Sequence, residues 1–337
     1  MPYDVSWDCP HTPGPEEHWQ ESDCLWYYDD DTGVGGFYRV GQRPNMKTSQ
    51  ISFFAFARDG ERFVHTGEAH NPKLHGGAYP MGPEDRWETG HRANGFEAGS
   101  LGDGRQYFKW DKPETAANLI FSDDFYTPHN WPSKSDDWMD NLNPDGHLEV
   151  GGMLRGEIRI GKKTYNINAM AHRDRSWGAR NNAKTQMHRY RMFSGTCGPK
   201  LSFATFHMDI EGAGLMVSGL VVRDGKVHEV ADQRVFMTVD RDNISTTGST
   251  VFLTLKNGEV LRFTCKTVQG FLTPVPEAAT PWIADNISIV ECEGLKGFCD
   301  MEIGVNPGRG SYKPTQDDVT LLAVDEGLSK FIPYPEL

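Results

Sequence analysis

Three short strings combine imidazole, carboxylate and aromatic side chains at strand spacing. The first is Ala171-His-Arg-Asp-Arg-Ser-Trp-Gly-Ala-Arg180. Successive side chains of an extended chain point to opposite faces. A strand entering from Tyr165 therefore sets Asn166, Asn168, Met170, His172 and Asp174 on one face, and Tyr165, Ile167, Ala169, Ala171 and Arg173 on the other. A carboxylate beside an imidazole fixes its tautomer and raises its basicity. His172 and Asp174 are thus candidate proton-transfer groups, with Trp177 a candidate ligand contact. The string also has a plainer reading, in which Asp174 pairs with Arg173, Arg175 or Arg180 and locks a strand crossing.

The second string, Met187-His-Arg-Tyr-Arg-Met-Phe193, points His188, Tyr190 and Met192 to one face, a mixture that suits a cavity wall or a half-buried strand with snorkelling cations. The third, Leu201-Ser-Phe-Ala-Thr-Phe-His-Met-Asp-Ile210, lines up Leu201, Phe203, Thr205, His207 and Asp209. A His and an Asp that extend an apolar face are costly if buried without partners, so either the face runs into water or these two meet a ligand. Gly33-Val-Gly-Gly-Phe-Tyr-Arg-Val-Gly-Gln-Arg43 adds Arg39 as a candidate contact. Its glycine spacing is not a phosphate loop and reads as a strand with close backbone approach.

The elements that must carry these residues are strands. The chain has 337 residues, 36 Gly and 20 Pro, and its apolar residues alternate rather than recur at helical spacing. Hairpins are expected at Asp59-Gly60, Gly161-Lys-Lys, Asp224-Gly225 and Asn257-Gly258, the last as a type I′ turn with two positive φ angles. The stretch 66–105 reads as long loops with one short strand, and 127–146 as irregular with a short helix capped by Ser135. A polar segment at 178–186 divides the chain into an N-terminal β domain, 1–180, and a C-terminal one, 181–337. The expected fold class is all-β, two tandem antiparallel β-barrels.

A net charge of −13 argues against nucleic acid and anionic membrane surfaces as partners. There is no run of about 18 apolar residues, so no membrane span is expected. The first residues carry no basic and apolar leader, so a cytoplasmic protein is expected. Six cysteines include no C-x-x-C pair. There is no nucleophile elbow, no H-E-x-x-H and no dinucleotide fingerprint. His70 and His75 lie five apart in a loop, a spacing that a metal site could use but that is not a metal motif. The expected chemistry therefore uses no cofactor and no metal. A homodimer is compatible with the sequence.

The strings Trp19-Gln-Glu-Ser, Gly35-Gly-Phe-Tyr-Arg-Val-Gly-Gln-Arg-Pro-Asn45 and His172-Arg-Asp-Arg-Ser-Trp-Gly-Ala-Arg180 resemble a bacterial branch of the superfamily that holds carotenoid 1,2-hydratase and the AttH-like proteins. The resemblance spans residues 15–330. It implies two lipocalin-like barrels in tandem and an apolar or aromatic small-molecule ligand. It also implies a cofactor-independent hydratase or lyase acting on an isoprenoid or aromatic compound. Family hydratases carry a His with a nearby Trp, which His172 and Trp177 resemble at wider spacing, then an aromatic-x-Asp pair, which His207-Met-Asp209 resembles with His in place of the aromatic. On this reading His172, Asp174 and Asp209 are catalytic. Trp177, Tyr190, His188, His207 and Arg39 bind the substrate. The rival readings are a cyclase or isomerase that works by shape, and a lipocalin-like binding protein without catalysis.

Overall fold

The computed structural model describes residues 3–65, 78–130, 145–179, 187–210, 214–239, 246–274, 282–305, 321–324 and 331–333. Among them secondary structure is strand, apart from three single-turn 3-10 segments. The expected Ser135-capped helix and the His70/His75 pair lie outside the described residues, as does Arg180.

The chain divides into two units, Met1–Thr185 and Gln186–Leu337. The first holds strands β1 (Trp19–Asp29), β2 (Val34–Arg43), β3 (Thr48–Ala57), β4 (Arg62–His65), β5 (Ala78–Pro80), β6 (Arg86–Trp87), β7 (Gly90–Ala93), β8 (Phe96–Ser100), β9 (Arg105–Asp111), β10 (Thr115–Ser122), β11 (Gly146–Ile160) and β12 (Lys163–Ala179). They form one antiparallel sheet, in the order β4-β3-β2-β1-β12-β11-β10-β9-β8-β7-β6, with β5 on β3. The sheet curls until β7 approaches β2 and β3, and its interior is packed with Leu25, Tyr38, Phe53, Phe96, Phe108 and Trp110, among others. The stretch expected as long loops carries, in its described part, the four short strands β5–β8. Their Asn94-Gly95 turn has both φ angles positive, a type I′ signal that composition alone had hidden.

The second unit holds β13 (Met187–Thr196), β14 (Leu201–Ile210), β15 (Gly214–Arg223), β16 (Lys226–Val239), β17 (Thr246–Leu255), β18 (Val260–Pro274), β19 (Trp282–Cys292), β20 (Leu295–Val305), β21 (Leu321–Val324) and β22 (Phe331–Pro333). The path β15-β14-β13-β20-β19-β18-β17-β16 closes through β15–β16 into an eight-stranded antiparallel barrel around Phe193, Phe203, Val251 and Phe263. β21 joins β16 in parallel. The fold is thus all-β, two lipocalin-like barrels in tandem. The four expected hairpins form, with one correction of geometry. At Asn257-Gly258 only Gly258 has positive φ. The Leu255 N–H donates to the Glu259 carbonyl and the Gly258 N–H to the Leu255 carbonyl, so the loop is a type I turn closed by a glycine bulge, not type I′. The extra residue lets the turn keep the strand twist without a left-handed Asn.

Candidate functional site

The candidate site forms where β11 outruns its neighbour. β10 pairs with β11 only as far as Met153. Beyond that, the edge of Gly146–Gly152 meets a single bridge, Asn130 to Leu148, among the described residues. Buried backbone groups must be paired by other means. The Tyr126 hydroxyl donates to the Glu149 carbonyl at 3.2 Å and accepts the Gly151 N–H at 2.9 Å, while the Asn130 side chain accepts the His147 N–H at 3.0 Å. These contacts fix the backbone that presents His147 and Glu149.

On its other edge β11 runs in register with β12, then β1, β2 and β3. Four cross-strand rows result on one face. His147–Ser176–Ser22 is polar, Glu149–Asp174–Cys24–Arg39 is charged, Gly151–His172–Trp26–Phe37–Phe54 is aromatic, and Met153–Met170–Tyr28–Gly35–Phe56 is apolar. Trp26 stacks on Phe37 with ring centres 5.1 Å apart, and Tyr28 on Phe56 at 6.1 Å. The aromatic side chains of this face are buried yet belong to none of the interior core. The face therefore grades from acid–base groups to aromatic and apolar surface over about 20 Å, three two-residue spacings along the strand.

Four titratable side chains form a chain across the first three rows. His172 Nε2 lies 2.5 Å from Glu149 Oε2. His147 Nε2 lies 2.9 Å from Glu149 Oε1 and 2.9 Å from Asp174 Oδ2. Glu149 thus bridges two imidazoles. Burial alone would push His147 down, but the hydrogen bond to Asp174 and the attraction of the Asp174 and Glu149 carboxylates outweigh it and hold the ring up at about 9. His147 is therefore an imidazolium at neutral pH. The outward atoms of the row beside it are different. His172 Nδ1 and Trp26 Nε1 are both buried without a hydrogen-bond partner among the described residues, their rings 6.2 Å apart.

The odd-numbered residues of the same string face the other way. Arg175 donates to Asp23 and, at 2.6 Å, to Glu21. Glu21 also accepts from Arg86 at 2.6 Å and pairs with His11 at 2.7 Å. Burial opposes ionisation of Glu21, but Arg175, His11 and Arg86 together hold its carboxyl well below the ordinary range. Arg173 donates to Asp8 at 2.7 Å. Trp177 stacks on His11 at 4.0 Å and packs over Gly146, where a Cβ would fall 2.1 Å from the indole.

The structure thus brings His172, Asp174 and Arg39 to one face and separates Trp177 from them. The indole beside His172 is Trp26. Asp174 is partnered by His147, not by Arg173 or Arg175, so the arginine lock exists without it. In the second unit Tyr190 and His207 lie on opposite faces. Tyr190 donates to Glu302 at 2.7 Å, and His207 is buried opposite Arg191 on the interior face. The side chains of His188 and Asp209 lie outside the described residues.

Sequence reasoning missed His147 and Glu149. It also missed a second buried cluster, Asp285, Asp300 and Glu302. Asp300 Oδ1 accepts the Asn286 N–H at 2.9 Å. Burial, then the nearby Asp285, pushes the Asp300 carboxyl well up. The signal for the second cluster was two carboxylates two apart on an otherwise apolar strand, Phe298-Cys-Asp-Met-Glu302, and for the first an imidazole and a carboxylate two apart, His147-Leu-Glu149.

The class defined by fold and site is a double-barrel, lipocalin-like β protein with a buried acid–base cluster beside an aromatic face. The chain belongs to a domain family of unknown function, DUF7064, whose model matches residues 4–307. No curated protein matches the sequence. Among solved structures, a protein assigned as AttH from Nitrosomonas europaea is similar with a TM-score of 0.61 at 11% identity, covering 87% of this chain and 95% of that one. CghA in complex with Sch210972 is similar with a TM-score of 0.60 at 13% identity, covering 87% and 90%. Kievitone hydratase from Nectria haematococca follows with a TM-score of 0.56 at 7% identity, covering 85% and 89%. These likenesses establish the shared fold. No helix among the described residues is long and apolar enough to cross a membrane.

Proposed function

We propose that this chain is a hydratase-type lyase that adds water to, or removes it from, an apolar or aromatic small molecule by acid–base chemistry. The observation that carries the reading is the state of His172. Its Nε2 is held by Glu149, while its buried Nδ1 has no partner among the described residues. With Nε2–H donating to Glu149, Nδ1 is an acceptor, and the Trp26 N–H is a donor beside it. One donor and one acceptor side by side suit a water molecule, whose oxygen accepts from Trp26 and whose proton passes to Nδ1.

In the hydration direction the His147 imidazolium passes its proton to Asp174, which delivers it to the double bond, and His147 is left neutral. The water held at Trp26 attacks the resulting cation, and His172 takes the released proton. Glu149, touching both imidazoles, takes the Nε2 proton of the His172 imidazolium and returns it to His147, and His172, left as the Nδ1–H tautomer, regains Nε2–H by exchange with solvent before the next turnover. Aromatic faces stabilise a desolvated cation by roughly 1–2 kcal/mol each, a role that Trp26 and Phe37 can fill. Arg39, half-buried on the Asp174 row, supplies a polar contact at the edge. The fold likeness to a kievitone hydratase supports this class of reaction.

The test is 18O incorporation from labelled water across a panel of prenylated phenols and isoprenoid alkenes. The expected result is one labelled hydroxyl, with turnover falling about 10²–10⁴-fold in His172→Gln and in Asp174→Asn while the fold is retained. Full turnover in both variants overturns the reading. Retention of an unchanged ligand without label would favour a binding protein.

A further inference from the structure

We propose that His147, Glu149 and Asp174 form a binding site for a divalent transition-metal ion of the zinc or manganese(II) type. The inference shares residues with the reaction proposed above but not its chemistry, and the two can fail separately.

The geometry is that of a ligand set. His147 Nε2, a Glu149 oxygen and an Asp174 oxygen converge within 4.8 Å of one another, and all three residues are buried. The nitrogen faces both carboxylate oxygens at the same 2.9 Å. A single N–H cannot point along two lines, and Glu149 Oε1 has no hydrogen bond despite its closeness. A proton therefore serves one of these contacts well, whereas an ion at the centre serves both. The two nitrogen-to-oxygen separations of 2.9 Å match adjacent edges of an octahedron with bonds of about 2.1 Å.

Charge points the same way. Within the triad, an imidazolium offsets only one of two buried carboxylates. A neutral imidazole with two carboxylates carries −2, which a divalent ion cancels. One nitrogen and two oxygens suit borderline or hard first-row ions rather than soft ones. Outer partners complete the design. His172 Nε2 holds the second oxygen of Glu149, and Tyr126 and Asn130 fix the backbone on either side. Such outer contacts hold ligands in place before the ion arrives.

Metal ligands must be deprotonated. Binding therefore releases the His147 proton, and with the ion in place Asp174 cannot act as the proton donor. The ion and the acid–base cycle exclude each other at this cluster, so the ion acts as an inhibitor of the proposed turnover.

The experiment uses the full chain, stripped with chelator and titrated with zinc chloride and with manganese(II) chloride. Calorimetry and native mass spectrometry read affinity and stoichiometry. The expected result is one ion per chain and a melting temperature that rises with metal concentration. His147→Gln and Asp174→Asn should each weaken that ion at least tenfold. Undiminished binding in both variants assigns the ion to surface histidines and overturns the site, as does the absence of any bound ion. Should either variant fail to fold, X-ray absorption of the zinc-loaded wild type decides. A nitrogen-and-oxygen shell with one imidazole supports the site, and a shell of several imidazoles overturns it. Turnover separates the two proposals. Turnover without any bound ion removes the metal site alone, and turnover that requires the ion keeps the site and removes the acid–base cycle.

Discussion

The two faces of β12 carry the same density of buried charge and use it differently. Arg173, Arg175 and Trp177 point into the interior of the first unit. His172, Asp174 and Ser176 point to the opposite face. On the interior face every cation that meets Asp8, Glu21 or Asp23 most closely is a guanidinium, which stays charged throughout the accessible pH range. On the other face the partners are imidazoles, which unlike a guanidinium can give up and take back a proton. The first arrangement can only hold shape. The second can move protons. A charged string in a strand must therefore be read one face at a time, because neighbours in sequence belong to different devices.

The largest test of this contrast is Arg175→Met. It keeps the side-chain length and removes the cation that Glu21 and Asp23 share. Two buried carboxylates then lose their main partner, and breaking a buried pair from one side costs about 3–5 kcal/mol. Urea unfolding should show a loss of that size. A loss below about 1 kcal/mol would mean that the interior network does not hold the barrel.

Much of the fold was legible and half of the site was not. Alternation and Gly-containing turns gave antiparallel strands, and the face shared by His172 and Asp174 followed from period two alone. The partner Glu149 was also within reach. The Gly161-Lys162 turn sets Ile160 opposite Lys163, and counting eleven residues back along β11 and eleven forward along β12 sets Glu149 opposite Asp174. The expected hairpin stopped at Met153, short of His147 and Glu149, because Gly151 and Gly152 weaken the alternation there. The pairing of His172 with Trp26 was not legible. It depends on β1, about 150 residues away in sequence, lying beside β12, and no local pattern fixes a contact that distant. Trp177 drew attention by closeness in sequence, but an odd separation from His172 sends it to the other face.

pH sharpens the comparison, because one histidine on each face is pushed in an opposite direction. On the interior face burial lowers His91 to about 4. The unfolded chain then takes a proton that the native state refuses, so stability falls as pH drops from about 6.5 towards 4. On the other face His147 is raised to about 9. Its contribution is full below about 6.5 and is lost as pH rises through 9. Each limb has a limiting slope of about 1.4 kcal/mol per pH unit. Urea midpoints measured across pH should peak near neutrality. His91→Gln should flatten the acid limb and His147→Gln the alkaline one. A single variant that flattens both limbs would show that the faces are coupled rather than independent.

The smallest effect is expected at Trp26, and it separates packing from chemistry on the aromatic row. Trp26→Phe keeps a ring against Phe37 and deletes one buried N–H that has no partner among the described residues. An unsatisfied buried donor is costly to keep, so its loss should leave the melting temperature unchanged or raise it by a few degrees. If that N–H holds the reacting water, kcat/KM should fall about tenfold, the worth of one hydrogen bond of about 1.4 kcal/mol. A drop in stability of more than about 2 kcal/mol with unchanged turnover would make Trp26 a packing residue. The proton relay would then have to find its water at another donor on the same face.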